Sequence, residues 1–104
     1  MTTAQRSLRV LIHAPTQAAV TRARNNAINL KRDAPDAEVL IIANAEGVAA
    51  VLDTPRADTD GLTRLCANTL HKLGRRAPDA FQTVDSAILA IAWMQASGWL
   101  YVRA

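Results

Sequence analysis

Glu38-Val39-Leu40-Ile41-Ile42-Ala43 is the stretch on which the fold turns, because five of its six residues are apolar and they follow one another without polar alternation. A strand with one wet face alternates, whereas a strand covered on both faces reads as a continuous aliphatic run. The run therefore predicts a central parallel strand with helices above and below it. Parallel neighbours need long crossovers, so the flanking sequence should supply helices in turn.

It does so on both sides. Upstream, Leu8-Arg9-Val10-Leu11-Ile12-His13 is a β-branched and aliphatic run that ends at Ala14-Pro15, where proline removes an N–H from further pairing. From Thr16 to Asp33, Val20, Ala23, Ala27 and Leu30 recur at helical spacing, and Ala34-Pro35-Asp36 closes that helix. Downstream, Ala45 to Leu52 reads as a short helix and Asp53 to Gly61 as a loop. Leu62 to Cys66 fits a third strand, although Leu62 to Leu73 also fits one continuous helix, and local pattern does not separate the two. Asn68 and Thr69 are good N-cap types for a helix reaching Gly74, and Phe81 to Val84 reads as a fourth strand. Asp85 or Ser86 would cap a helix to Ser97, stopped by Gly98, with Trp99 to Val102 as the last strand.

Five strands and four helical segments predict a single three-layer α/β/α domain with a five-stranded parallel sheet and right-handed crossovers. The last helix, Ala87-Ile88-Leu89-Ala90-Ile91-Ala92-Trp93-Met94, has almost no polar face. One sheet covers only one side of such a helix. In a chain of 104 residues the expected cover for the other side is a second subunit.

Half of the residues are hydrophobic and a fifth charged, which separates the chain from disordered sequences, while no apolar run reaches the length that spans a bilayer. Met1 to Arg9 lacks the apolar core of a secretion signal, and one cysteine cannot form an internal disulfide. The expectation is a reducing cytoplasm and no membrane. The net charge is +3, but the basic residues are scattered as Arg22/Arg24, Lys31/Arg32, Lys72 and Arg75/Arg76. With only four aromatic residues and no dense basic stripe, the chain is not expected to bind nucleic acid.

The motifs that doubly wound folds use for chemistry are largely missing. His13-Ala14-Pro15-Thr16-Gln17 after the first strand carries no glycine-rich phosphate turn and no acidic phosphoacceptor, so no nucleotide cofactor is expected. There is no Cys-x-x-Cys pair and no Gly-x-Ser-x-Gly elbow. His13 and His71 have no metal-ligand spacing, and read as an ordinary strand-end and helix-surface residue, so no metal is expected either. Cys66 remains. As the last residue of a third strand it would lie at the carboxyl edge of the sheet, where sites of open α/β folds collect, and helix N–H groups there would favour the thiolate. His71 and Lys72 would add positive charge further along. The same cysteine also reads as a small buried hydrophobe, or as the neighbour of amides that bind an anion without covalent chemistry.

Three segments in order, Asn44-Ala45-Glu46-Gly47-Val48, Cys66-Ala67-Asn68-Thr69-Leu70 and Gln95-Ala96-Ser97-Gly98-Trp99-Leu100-Tyr101-Val102, resemble the DsrE/DsrF-like family, also called YchN-like. The resemblance runs from the first strand to the C-terminus. It implies an α/β/α subunit with a five-stranded parallel sheet, assembled as a homo-oligomer, a trimer or hexamer. It further implies a cytoplasmic sulfur relay in which Cys66 carries a persulfide between a donor and an acceptor protein. By position, Asn68 and Thr69 would shape the helix start at Cys66, while Gln95, Gly98 and Tyr101 would line the same region or support a subunit contact. Trp99 and Tyr101 also read simply as core or interface residues. No second cysteine is present to resolve a persulfide, so a partner thiol is required.

Overall fold

A computed structural model describes residues 7–104. The expectation for Met1 to Arg9 falls mostly on residues 1–6, which lie outside the described residues. The elements are β1 (Arg9–Ala14), α1 (Gln17–Asp33), β2 (Glu38–Ala43), α2 (Glu46–Asp53), α3 (Ala57–Asp60), β3 (Thr63–Cys66), α4 (Ala67–Leu73), β4 (Gln82–Val84), α5 (Ala87–Ala96) and β5 (Leu100–Arg103). All strand pairings are parallel, in the order β4-β3-β2-β1-β5. The aliphatic run Glu38–Ala43 is the middle strand, with Ile41, Ile42 and Ala43 buried.

The chain steps from β1 through β2 and β3 to β4 in one direction, then returns to lay β5 on the far side of β1. Right-handed crossovers in opposite directions place their helices on opposite faces. Accordingly α1 packs against α2 and α3, while α5 packs against β2 and β5. Strand alternation then sorts the side chains: Arg9, Leu11 and His13 of β1, Leu40 and Ile42 of β2, Arg64 and Cys66 of β3, and Tyr101 and Arg103 of β5 share the α5 face.

The structure resolves two open alternatives, the third strand and the α5 cap, and corrects other local expectations. Leu62 to Leu73 is not one helix: Thr63–Cys66 pairs with β2 and β4, and the helix begins only at Ala67. Its N-cap is Cys66 rather than Asn68 or Thr69. The loop Asp53 to Gly61 contains the single turn α3, held because the Asp60 carboxylate accepts the Arg56 N–H at 2.9 Å. The last strand starts at Leu100, since Gly98 takes φ +99° to turn the chain out of α5. Ser86, not Asp85, is the α5 cap, and its hydroxyl accepts the Leu89 N–H at 3.4 Å.

Two further features depart from the surface pattern. Arg24 is not part of a scattered basic surface: it is only 5% exposed, on the same buried face of α1 as Val20, Ala23 and Ala27. Its guanidinium donates to the Thr54 carbonyl at 2.6 Å and meets the Asp60 carboxylate at 3.4 Å, tying α1 to the α2–α3 junction. Burial lowers the Arg24 pKa, with Asp60 opposing that shift. On the other face, α5 buries Ala87 and Ile91, yet Ile88 is 77% and Trp93 67% exposed. None of the described elements covers that side.

Candidate functional site

Cys66 ends β3, and α4 starts at the next residue, so the strand delivers the thiol to the first N–H groups of a helix. Such N–H groups have no intrahelical partner and are available to an acceptor. Burial, at 5% exposure, pushes the thiol pKa up. Hydrogen bonds from the Thr69 hydroxyl and from the N–H groups of Thr69, Ala87 and Asn68 act against burial and outweigh it, so the pKa is lowered below its ordinary value. Ala87 is the first residue of α5, so donors from two helices converge on one sulfur.

Thr69 has a second bond that sets the direction of the first. Its Oγ1 accepts the Ala45 N–H at 3.2 Å, which leaves the hydroxyl proton for Cys66. Ala45 holds φ +49°, a value alanine rarely adopts. The turn is clamped from behind by Gly47, whose N–H donates to the Asn44 carbonyl at 2.9 Å and the Pro15 carbonyl at 3.2 Å. A Cβ on Gly47 would lie 2.0 Å from the Ala14 carbonyl oxygen, so only glycine fits.

Beside this turn stands His13, which by spacing alone reads as an ordinary strand-end residue. His13 Nε2 lies 2.8 Å from Asn44 Oδ1, and His13 Nδ1 lies 2.7 Å from the Tyr101 hydroxyl. An amide oxygen only accepts, so Nε2 carries the proton and Nδ1 accepts from Tyr101 in the neutral ring. The two rings tilt at 52° with centroids 5.7 Å apart. Three strands thus contribute to one network at the carboxyl edge, and the Asn44-Ala45 turn joins it to Thr69 and Cys66. The available signal was position: a histidine one residue before the end of β1 faces the same edge as a cysteine closing β3.

The residues expected to act together fall into two groups. Cys66, Asn68, Thr69 and the Tyr101 hydroxyl gather at the carboxyl edge, with Asn68 contributing its backbone N–H while its side chain is exposed. Gln95 and Gly98 lie at the opposite, amino edge, because α5 runs back along the sheet before β5 begins, and they do not line the Cys66 region. There a Cβ on Gly98 would approach the Arg9 guanidinium at 2.8 Å, and Arg9 donates to the Ser97 carbonyl. His71 is exposed in the last turn of α4, and its carbonyl caps the helix by accepting the Gly74 N–H at 3.1 Å. Among the described residues no group of three or more acidic, histidine or cysteine side chains is placed to hold a metal ion.

No family model matches the chain, and no curated protein matches it. Among solved structures, it is similar to MTH1491 from Methanobacterium thermoautotrophicum, a protein of unknown function, at 23% identity and a TM-score of 0.76. That match covers 94% of this chain and all of the other. At this identity the likeness establishes the fold, a parallel five-stranded α/β domain, and nothing finer.

Proposed function

We propose that this protein is a cytoplasmic sulfur carrier in which Cys66 accepts a terminal sulfur from a persulfide donor and passes it to a cysteine of a partner protein. The observation that supports this reading is the set of donors from Thr69, Asn68 and Ala87 around a thiol at the carboxyl edge, which favours the charged nucleophile despite burial. The Cys66 thiolate attacks the outer sulfur of R–S–SH. The new bond gives Cys66–S–SH, the old S–S bond breaks, and its electron pair leaves with R–S⁻. A partner thiolate reverses the exchange by the same displacement, so neither step needs an external oxidant or reductant.

A homo-oligomer, trimer or hexamer, is part of the proposal, supported by the bare apolar side of α5. The sulfur-relay reading is tested by incubating the protein with polysulfide and measuring intact mass. A reducible gain of about 32 Da per added sulfur, absent in Cys66→Ala, is the expected result. An unmodified chain whose thiol also resists small alkylating agents would refute it. That outcome would leave the second reading, a non-enzymatic binding or scaffold domain with Cys66 as packing, which the inclusion of Cys66 in the buried core cluster favours.

A further inference from the structure

A cavity of about 480 Å³ lies away from the Cys66 donors, beneath the C-terminal end of α5. That is within the range of small-molecule sites, roughly 300–1,000 Å³. Its apolar surface comes from Leu40 and Leu62 on the sheet side and from Met94 and Trp99 on the α5 side, all half-buried. The Trp99 ring is held in place by Arg9, whose guanidinium sits 5.6 Å from the ring centroid and donates to the Ser97 carbonyl.

The charges around this apolar body are unequal. Lys31 and Glu38 lie together at the amino edge, where Lys31 Nζ donates at 3.3 Å to the carbonyl of Ala37, the residue before Glu38. Arg64 stands alone further in. It registers with Ile42, four residues along β2 from Glu38, a separation of about 13 Å. Among the described residues the ion pairs join Arg24, Arg32, Arg56 and Arg75 to aspartates, and Arg64 is in none of them. A half-buried guanidinium without a carboxylate, facing an apolar cavity, is suited to bidentate capture of an anion.

We propose that this cavity binds an amphipathic organic carboxylate, with its charged group on Arg64 and a flat apolar body between Trp99, Met94 and the Leu40–Leu62 surface. The site is independent of Cys66 chemistry and stands whether or not the protein carries sulfur.

The test is amide and indole NMR of the full chain during titration with naphthalene-2-carboxylate, compared with neutral naphthalene-2-carboxamide. Saturable shifts at Leu40, Leu62, Arg64 and the Trp99 indole are expected, with at least about tenfold weaker binding of the neutral amide and of the acid to Arg64→Met. Arg64→Lys should recover part of the loss and Cys66→Ala should bind as the parent does. The proposal is overturned by absence of shifts at millimolar acid, by equal binding of acid and amide, or by shifts centred on Ile88 and Trp93, which would mean adsorption to the outer side of α5.

Discussion

Thr69 has one hydroxyl and two bonds to make with it: the oxygen accepts from Ala45 and the proton serves Cys66. Thr69→Val keeps the shape and removes both. The pH midpoint of Cys66 alkylation should then move upward, and the rate at neutral pH should fall by about tenfold, read with a small haloacetamide. An unchanged profile would mean that the backbone donors suffice. The lowered pKa also has a sign in stability. Because the folded thiol loses its proton more readily than the unfolded one, its contribution is fully present above the ordinary thiol value and is lost as pH falls through the folded-state value. The stability difference between the parent and Cys66→Ala, followed by urea unfolding, should therefore grow as pH rises through that window and level off above it.

Elements meet at a few points where a single atom decides the fit. Gly47→Ala places a methyl against the Ala14 carbonyl and should cost about 3 kcal/mol in chemical denaturation, with loss of the Ala45–Thr69 bond following from displacement of the turn. Arg24→Ala strips the buried partner from Asp60 and should cost about 3 kcal/mol. Element type was legible where burial is two-sided or a cap is strong: Glu38–Ala43 in the centre of the sheet, and α1 from its Thr16 cap. The third strand was ambiguous because four residues carry neither period clearly, and only pairing with β2 and β4 resolves it. Of the site, Cys66 at a strand end was readable from the chain, but the Ala87 donor was not, since residues 21 positions apart meet only when α5 crosses the sheet. His13 reads as an ordinary strand-end residue because it matches no ligand spacing, and its partners Asn44 and Tyr101 come from two other strands or their ends.

At the scale of the molecule, the outer side of α5 and the free edge of β5 are separate apolar surfaces: Ile88, Leu89 and Trp93 on one, Leu100 and Val102 on the other. Unlike surfaces that meet head to tail build rings where the rotation closes and filaments where it does not, whereas a two-fold dimer buries the same surface on both copies. Sedimentation of the parent should show an assembly larger than a dimer, and Trp93→Glu should shift it to monomer without changing the circular dichroism of the fold. A parent that sediments as a monomer at all concentrations would remove the oligomer from the proposed function.

The return of the chain to β1 has a consequence in time. Val10 pairs with Leu100, 90 positions later, so β1 waits for β5, the last strand of the sheet in chain order, before its second edge is closed. Until β5 arrives, that edge, carrying Leu11 and Ile12, is a template open to any passing strand. The His13–Tyr101 bond can form only once β5 has been made, and a nascent chain stalled before Leu100 has neither the completed network nor a protected sheet.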